Sequence, residues 1–301
     1  MYKKLSFLIK SMRPSQWPKN LVVFTAFFFS INESWSFDTP FDALTIFGEL
    51  IVVFFVFCLL SGAVYILNDI KDIEFDRNHP YKRFRPIAAE KISINLAILF
   101  SSLIILLIMI VSFAANKDFA FCLLGYLLIT ILYSLILKKI VVLDVSVIAI
   151  GFVIRVVSGA IVAEVPISLW LYLCTGLGAL ILGFSKRRAE LMLGGVQSTK
   201  YRSVFKFYSL TLIDRFIWMV SASFVLAYAF YTYSAPNLPT NRLMMLTIPL
   251  VVFGVWRFLH LLKIGRVKLQ PEDTFFRDKL LLIGGLFWVI GSVTILYLYR
   301  G

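Results

Sequence analysis

Three aspartates, Asp69, Asp72 and Asp76, recur three and four residues apart directly after an apolar run, in the segment NDIKDIEFDRNHPYKRFRP. At about 3.6 residues per turn this spacing predicts all three carboxylates, with Asn68 beside them, on one face of a helix end. Five basic side chains, Arg77, Lys82, Arg83, Arg85 and Lys91, follow within a few residues. Carboxylates on one face suit a hard, oxygen-seeking cation such as Mg2+, and guanidinium groups suit phosphate. The stretch reads as a metal–diphosphate site at a membrane edge. The plain alternative is a solvated loop that sets topology, but topology calls for lysine and arginine, and three acids would weaken that signal.

A second charged cluster, SKRRAEL, starts at Ser185 and places Lys186, Arg187 and Arg188 at the end of an apolar run. Glu190 can pair with Arg187 or Lys186. A stop signal explains this triplet alone equally well; beside the acidic motif it reads as direct cations for a polyanionic substrate. Within another apolar run, Asp144 and Arg155 are separated by roughly 16 Å of helix. Ionisable groups at such depth face a cavity or a partner, so a structural ion pair and a polar cavity both remain open. Tyr133 and Lys138 end the preceding run within reach of a phosphate. His79 lies in the motif loop and His260 near the end of a later run. No Ser/His/Asp arrangement, phosphate loop or dinucleotide fingerprint appears. Cys58, Cys122 and Cys174 all sit in apolar runs, with neither metal-ligand spacing nor a disulfide framework.

The elements that must position these groups are membrane spans. The chain is 60% hydrophobic and has a mean hydropathy of +0.87, far above a soluble domain. Nine apolar stretches approach the roughly 20 residues a span needs: 18–36, 43–67, 92–115, 119–137, 140–163, 167–184, 210–234, 243–262 and 280–299. Asn32 and Glu33 interrupt the first. Alternate connections hold 24 of the 30 lysines and arginines, which predicts a cytoplasmic N-terminus in a multi-pass protein of the inner (cytoplasmic) membrane. The basic N-terminal stretch has no apolar core with a cleavage site, so a removable signal peptide is not expected. The net charge of +13 belongs to this inner surface, and no soluble basic domain is present to bind nucleic acid. The longest inner connections, 68–91 and 185–209, are the expected active-site loops of a single transmembrane domain covering 1–301.

These motifs together resemble the UbiA-type intramembrane prenyltransferase superfamily. The resemblance implies an all-α fold of nine transmembrane helices around a central cavity opening to the cytoplasm. NDIKDIEFD matches that superfamily's first aspartate-rich motif. Its usual members carry a second DxxxD at the end of span six, where this chain has SKRRAE. RPSQWPKN, KRFRPIA, YSLILK, VVLDVSVIAIGFVIRVVSGA and SKRRAEL are similar to the branch of decaprenyl-phosphate phosphoribosyltransferases. That branch implies transfer of 5-phosphoribose from phosphoribosyl pyrophosphate (PRPP) to a polyprenyl phosphate lipid, with Mg2+ as cofactor and pyrophosphate released. It implies Asn68, Asp69, Asp72 and Asp76 as the Mg2+–pyrophosphate set, with the three aspartates catalytic. Lys82, Arg83, Arg85, Lys186 and Arg187 would hold donor phosphates. Lys19, Tyr133, Lys138 and Arg155 would contact the acceptor phosphate or the sugar. The alternative is a superfamily member using a prenyl diphosphate donor and an aromatic or other small acceptor; a transporter or scramblase is disfavoured by the sparse outer polarity. A homo-oligomer is compatible with the sequence, which does not set the oligomeric state.

Overall fold

The computed structural model describes residues 2–78, 81–165, 168–194, 203–235 and 238–300. His79 and part of the 185–209 loop lie outside the described residues. The architecture is all-α. Long apolar runs without water force every backbone N–H and C=O to be satisfied within its own segment, and the helix does this. Eight helices are long and apolar enough to cross a membrane among the described residues. They are α3 (Pro40–Lys71), α5 (Ile94–Ala115), α6 (Lys117–Leu135), α7 (Leu143–Val162), α8 (Leu169–Gly194), α9 (Leu210–Ser234), α10 (Ile248–Lys263, which a preceding 3-10 turn, Leu243–Thr247, extends to spanning length) and α12 (Lys279–Tyr299). Shorter helices are α1 (Tyr2–Ser11), α2 (Thr25–Phe29), α4 (Ile73–Arg77) and α11 (Asp273–Arg277). Side-chain caps punctuate the chain: Asn116 turns α5 into α6 and accepts from Phe119 N at 2.9 Å, and Ser209 and Asp278 cap α9 and α12.

The first expected span, 18–36, is not an α-helix of spanning length. Pro14–Phe24 forms a 3-10 helix, α2 adds five residues, and Asn32, in the left-handed region, closes a turn through its N–H to Trp35 O. Pro14 and Pro18 remove backbone donors, which disfavours a regular α-helix. The tighter winding also lengthens the segment. At about 2.0 Å per 3-10 residue and 1.5 Å per α residue, it reaches roughly 30 Å, the thickness of a bilayer core. Its ends agree with that length. Arg13 pairs with Asp69 at the end of α3, and Asn32 donates to Tyr297 O at 2.6 Å near the end of α12. The segment therefore crosses the whole bundle.

α7 is the hub, packing on the 3-10 segment, α3, α6 and α8, while α8 is held between α7 and α9. Gly159 permits the closest approach: an added Cβ there would stand 2.3 Å from Val23 O. The lipid-facing surfaces of α5, α9 and α12 expose Leu103, Ile110, Phe230 and Ile290, as bilayer-embedded faces should. The charged motifs gather where α3, α6 and α8 end and α7 begins, called the motif end below.

Candidate active site

α3 stops at Lys71 because Asp72 leaves helical geometry (φ −94°, ψ 14°), and α4 restarts at Ile73. The break divides the expected single face. Asp69 and Asp76 remain together: Arg85 Nη1 donates to Asp69 Oδ1 at 3.0 Å and to Asp76 Oδ2 at 2.5 Å. Arg13 also pairs with Asp69, its guanidinium lying 4.7 Å from the Tyr65 ring centroid. Asp72 turns away to Lys138 Nζ at 3.2 Å. Asn68 Oδ1 accepts from Ser134 Oγ, and Lys71 Nζ donates to Ser134 O at 2.7 Å, tying the end of α3 to the end of α6.

Two of the three aspartates thus converge on one cation. Asp69 and Asp76 are buried, at 3% and 1% exposure, and share a single guanidinium nitrogen. Asp76 Oδ1 is buried without a hydrogen-bond partner, with Lys82 Nζ 4.0 Å away. Hard carboxylate oxygens with an unused lone pair are a donor set that fits Mg2+. Among the described residues no three His, Cys, Asp or Glu side chains already form a complete ligand group, so Asp72 would have to leave Lys138 to join.

A cavity of about 890 Å³ opens beside this pair. Asn68, Asp69, Asp72, Lys82, Arg85, Tyr133, Lys138, Lys186, Lys19 and Arg155 line it. Of the remaining expected site residues, Asp76 lies behind the wall, held by Arg85. Arg83 is exposed, with its guanidinium over Phe84 at 4.8 Å. Arg187 is 1% exposed and does not reach the cavity. It is bound by Asp144 Oδ2 at 2.6 Å, Glu190 Oε2 at 2.7 Å and Tyr133 OH at 3.5 Å. Tyr208 donates to the other Asp144 oxygen at 2.7 Å. Burial, reinforced by that hydrogen bond, holds the Tyr208 phenol well above its ordinary range. Asp144 is therefore a structural ion-pair partner, and Arg187 fixes the end of α8 that presents Lys186.

Arg155 resolves the other way. It is 7% exposed at the deep end of the cavity, and none of its hydrogen bonds goes to a carboxylate. Nε donates to Asn20 Oδ1 at 2.7 Å, Nη1 to Gly151 O at 2.7 Å and Nη2 to Tyr126 OH at 2.9 Å. The rings of Phe57, Tyr126 and Phe152 stand within 5.5 Å of its guanidinium carbon. Neutral dipoles and ring faces orient this cation, and no carboxylate among the described residues compensates its charge.

A model of the UbiA prenyltransferase family matches residues 21–280. The chain belongs to the UbiA prenyltransferase family. It is 31% identical over 295 residues to a decaprenyl-phosphate phosphoribosyltransferase of Mycolicibacterium smegmatis, covering 95% of this chain and 91% of that one. A protein of the same name from Corynebacterium glutamicum is also 31% identical, over 296 residues, covering 97% and 87%. Among solved structures, a UbiA homologue from Archaeoglobus fulgidus bound to DMAPP and Mg2+ has a TM-score of 0.72 at 16% identity, covering 97% of this chain and 99% of that one, a likeness of fold.

Residues that motif spacing did not point to also stand in the cavity wall of this UbiA-family chain. Arg13, Asn20, Tyr126 and Glu272 all line the cavity. Glu272 pairs with Lys19 at 2.9 Å, so the connection between α10 and α12 contributes to the cavity wall. Arg13 has φ 54°, a left-handed conformation that a non-glycine residue holds only when its surroundings enforce it. Its place beside Asp69 depends on how the 3-10 segment docks, and no local spacing encodes that.

Proposed function

We propose that this UbiA-family enzyme transfers 5-phosphoribose from PRPP to a polyprenyl phosphate and releases pyrophosphate. The observation that carries the reading is the charge of the cavity wall, where eight basic side chains face four carboxylates. A donor with a pyrophosphate and a 5-phosphate, meeting an acceptor phosphate, needs such an excess of cations. Lys186 stands where prenyl diphosphate users of the superfamily carry a second aspartate motif. The relatives bearing the phosphoribosyltransferase name match nearly the full chain.

In the reaction the C1–O bond to pyrophosphate breaks and its electron pair leaves with the pyrophosphate, while an acceptor phosphate oxygen forms the new bond to C1. Mg2+ held at Asp69, Asp72 and Asp76, with Asn68 alongside, would neutralise the departing pyrophosphate. Arg85, Lys82 and Lys186 bind the donor phosphates; Arg13 orients Asp69. Lys19, Tyr133, Lys138 and Arg155 contact the acceptor phosphate or the ribose, and a buried guanidinium with no carboxylate partner among the described residues is suited to an anion. The acceptor is already ionised, so no general base is required. The basic inner connections support a cytoplasmic motif end in a multi-pass membrane protein.

The test is purified protein with Mg2+, ribose-labelled PRPP and polyprenyl phosphate. Lipid-linked phosphoribose and equimolar pyrophosphate are expected. Consumption of a prenyl diphosphate with an aromatic acceptor, and no labelled lipid, would instead establish the prenyl donor reading.

A further inference from the structure

A second concavity, of about 400 Å³, lies at the motif end between α9 and α10 and shares no lining residue with the active-site cavity. Both helices repeat one pattern. On α9, Asp214 sits near the helix start and Trp218 one turn deeper; on α10, His260 sits near the helix end and Trp256 one turn deeper. Lys263 ends α10, and Arg188 of α8 forms the floor, donating to Asp214 at 2.6 Å and to Leu262 O at 3.2 Å. Lys263 has no ion-pair partner among the described residues. Trp218 and Trp256 are 65% and 56% exposed on the bundle surface, and Trp256 stacks on His260 at 5.8 Å.

We propose that this groove holds one anionic diacyl phospholipid of the surrounding bilayer. Arg188 is engaged by Asp214, so the cation left to a headgroup is Lys263, beside the His260 imidazole, which favours a net negative headgroup. One helical turn deeper, Trp218 and Trp256 frame an apolar cleft at the depth where indoles sit at the boundary of headgroup and acyl chain. The volume takes the headgroup and glycerol, with the acyl chains left to run along the exposed apolar faces of α9 and α10. The substrate phosphate has its own cations at the Asp69 cavity, so this groove takes a resident lipid. Arg188 follows Lys186 and Arg187 on α8, so an occupied groove braces the helix end that carries both.

The experiment needs no PRPP and stands apart from the proposed reaction. The protein is reconstituted in phosphatidylglycerol or phosphatidylcholine vesicles, extracted in mild detergent and weighed by native mass spectrometry. One retained phosphatidylglycerol and little phosphatidylcholine are expected. A His260→Ala/Lys263→Ala double variant should lose at least tenfold of that retention, while a Lys3→Ala/Lys4→Ala control keeps it. On the otherwise unaltered protein, brominated phosphatidylglycerol should quench tryptophan fluorescence more than brominated phosphatidylcholine. That difference should vanish in Trp218→Phe/Trp256→Phe, which decides the matter if the alanine variant does not fold. Equal retention or quenching by the two lipids, undiminished retention in a folded double variant, or displacement of phosphatidylglycerol by polyprenyl phosphate would each overturn the proposal.

Discussion

Replacing Arg155 by methionine separates binding chemistry from folding. The guanidinium is 7% exposed, makes its three hydrogen bonds at 2.7–2.9 Å to neutral groups, and has no carboxylate partner among the described residues. Desolvating an unpaired cation costs several kcal/mol, and three hydrogen bonds return about 1 kcal/mol each. Methionine removes both contributions and fills most of the volume but strands the buried Asn20 Oδ1 and Tyr126 hydroxyl at about 1–3 kcal/mol each, so stability should fall by about 2–4 kcal/mol. Binding of an anion should fall independently of this. Two unit charges about 4 Å apart at an effective dielectric of 20 interact by about 4 kcal/mol, which is roughly 1000-fold. Water entry and the neighbouring Lys19 reduce this, leaving an expected loss between roughly 100- and 1000-fold in kcat/KM for polyprenyl phosphate. The assay is steady-state transfer at saturating PRPP, alongside the thermal unfolding midpoint in detergent. Arg155→Lys, which keeps the charge, should recover part of the activity. A loss under tenfold, or one that only tracks the fraction of folded protein, would refute the anion-binding reasoning.

Asp72→Asn and Asp76→Asn should each abolish turnover while the protein still inserts and elutes as a single species, because insertion depends on the apolar spans; activity retained in both would remove the metal-site argument. Asp144→Ala should destabilise the protein by about 3 kcal/mol, the lower end for breaking a buried pair because Glu190 still holds Arg187, read as a lowered unfolding midpoint. Arg85→Ala should raise the KM for PRPP at least tenfold, whereas Arg83→Ala, outside the cavity wall, should leave it within about threefold; equal effects would place Arg83 at the donor. Gly159→Ala forces α7 away from Val23 and should cost about 1–3 kcal/mol, again visible in thermal unfolding.

Much of the molecule is written locally in the chain. Apolar runs separated by charged connections dictate membrane helices, because a backbone in lipid must satisfy its own hydrogen bonds. The aspartate spacing and the basic run after it mark the motif end without reference to any other part of the fold. Lys19, Tyr133, Lys138, Lys186 and Arg155 share the cavity with Asp69, as their residue types suggest. Three matters needed the tertiary structure. The 18–36 stretch is apolar enough for a helix, yet its prolines and its docking against Gly159 make it a 3-10 segment that spans with fewer residues and delivers Arg13 to Asp69. The break at Asp72 splits a carboxylate face that 3.6-residue spacing would keep whole. Finally, two arginines that the sequence offers equally to substrate phosphates have opposite fates. Arg187 meets Asp144 and Glu190 and is neutralised, whereas Arg155 meets dipoles and rings and, among the described residues, no carboxylate. Spacing along one helix places a charge at a depth; only the neighbouring helices decide whether it is spent in an ion pair or left for a substrate.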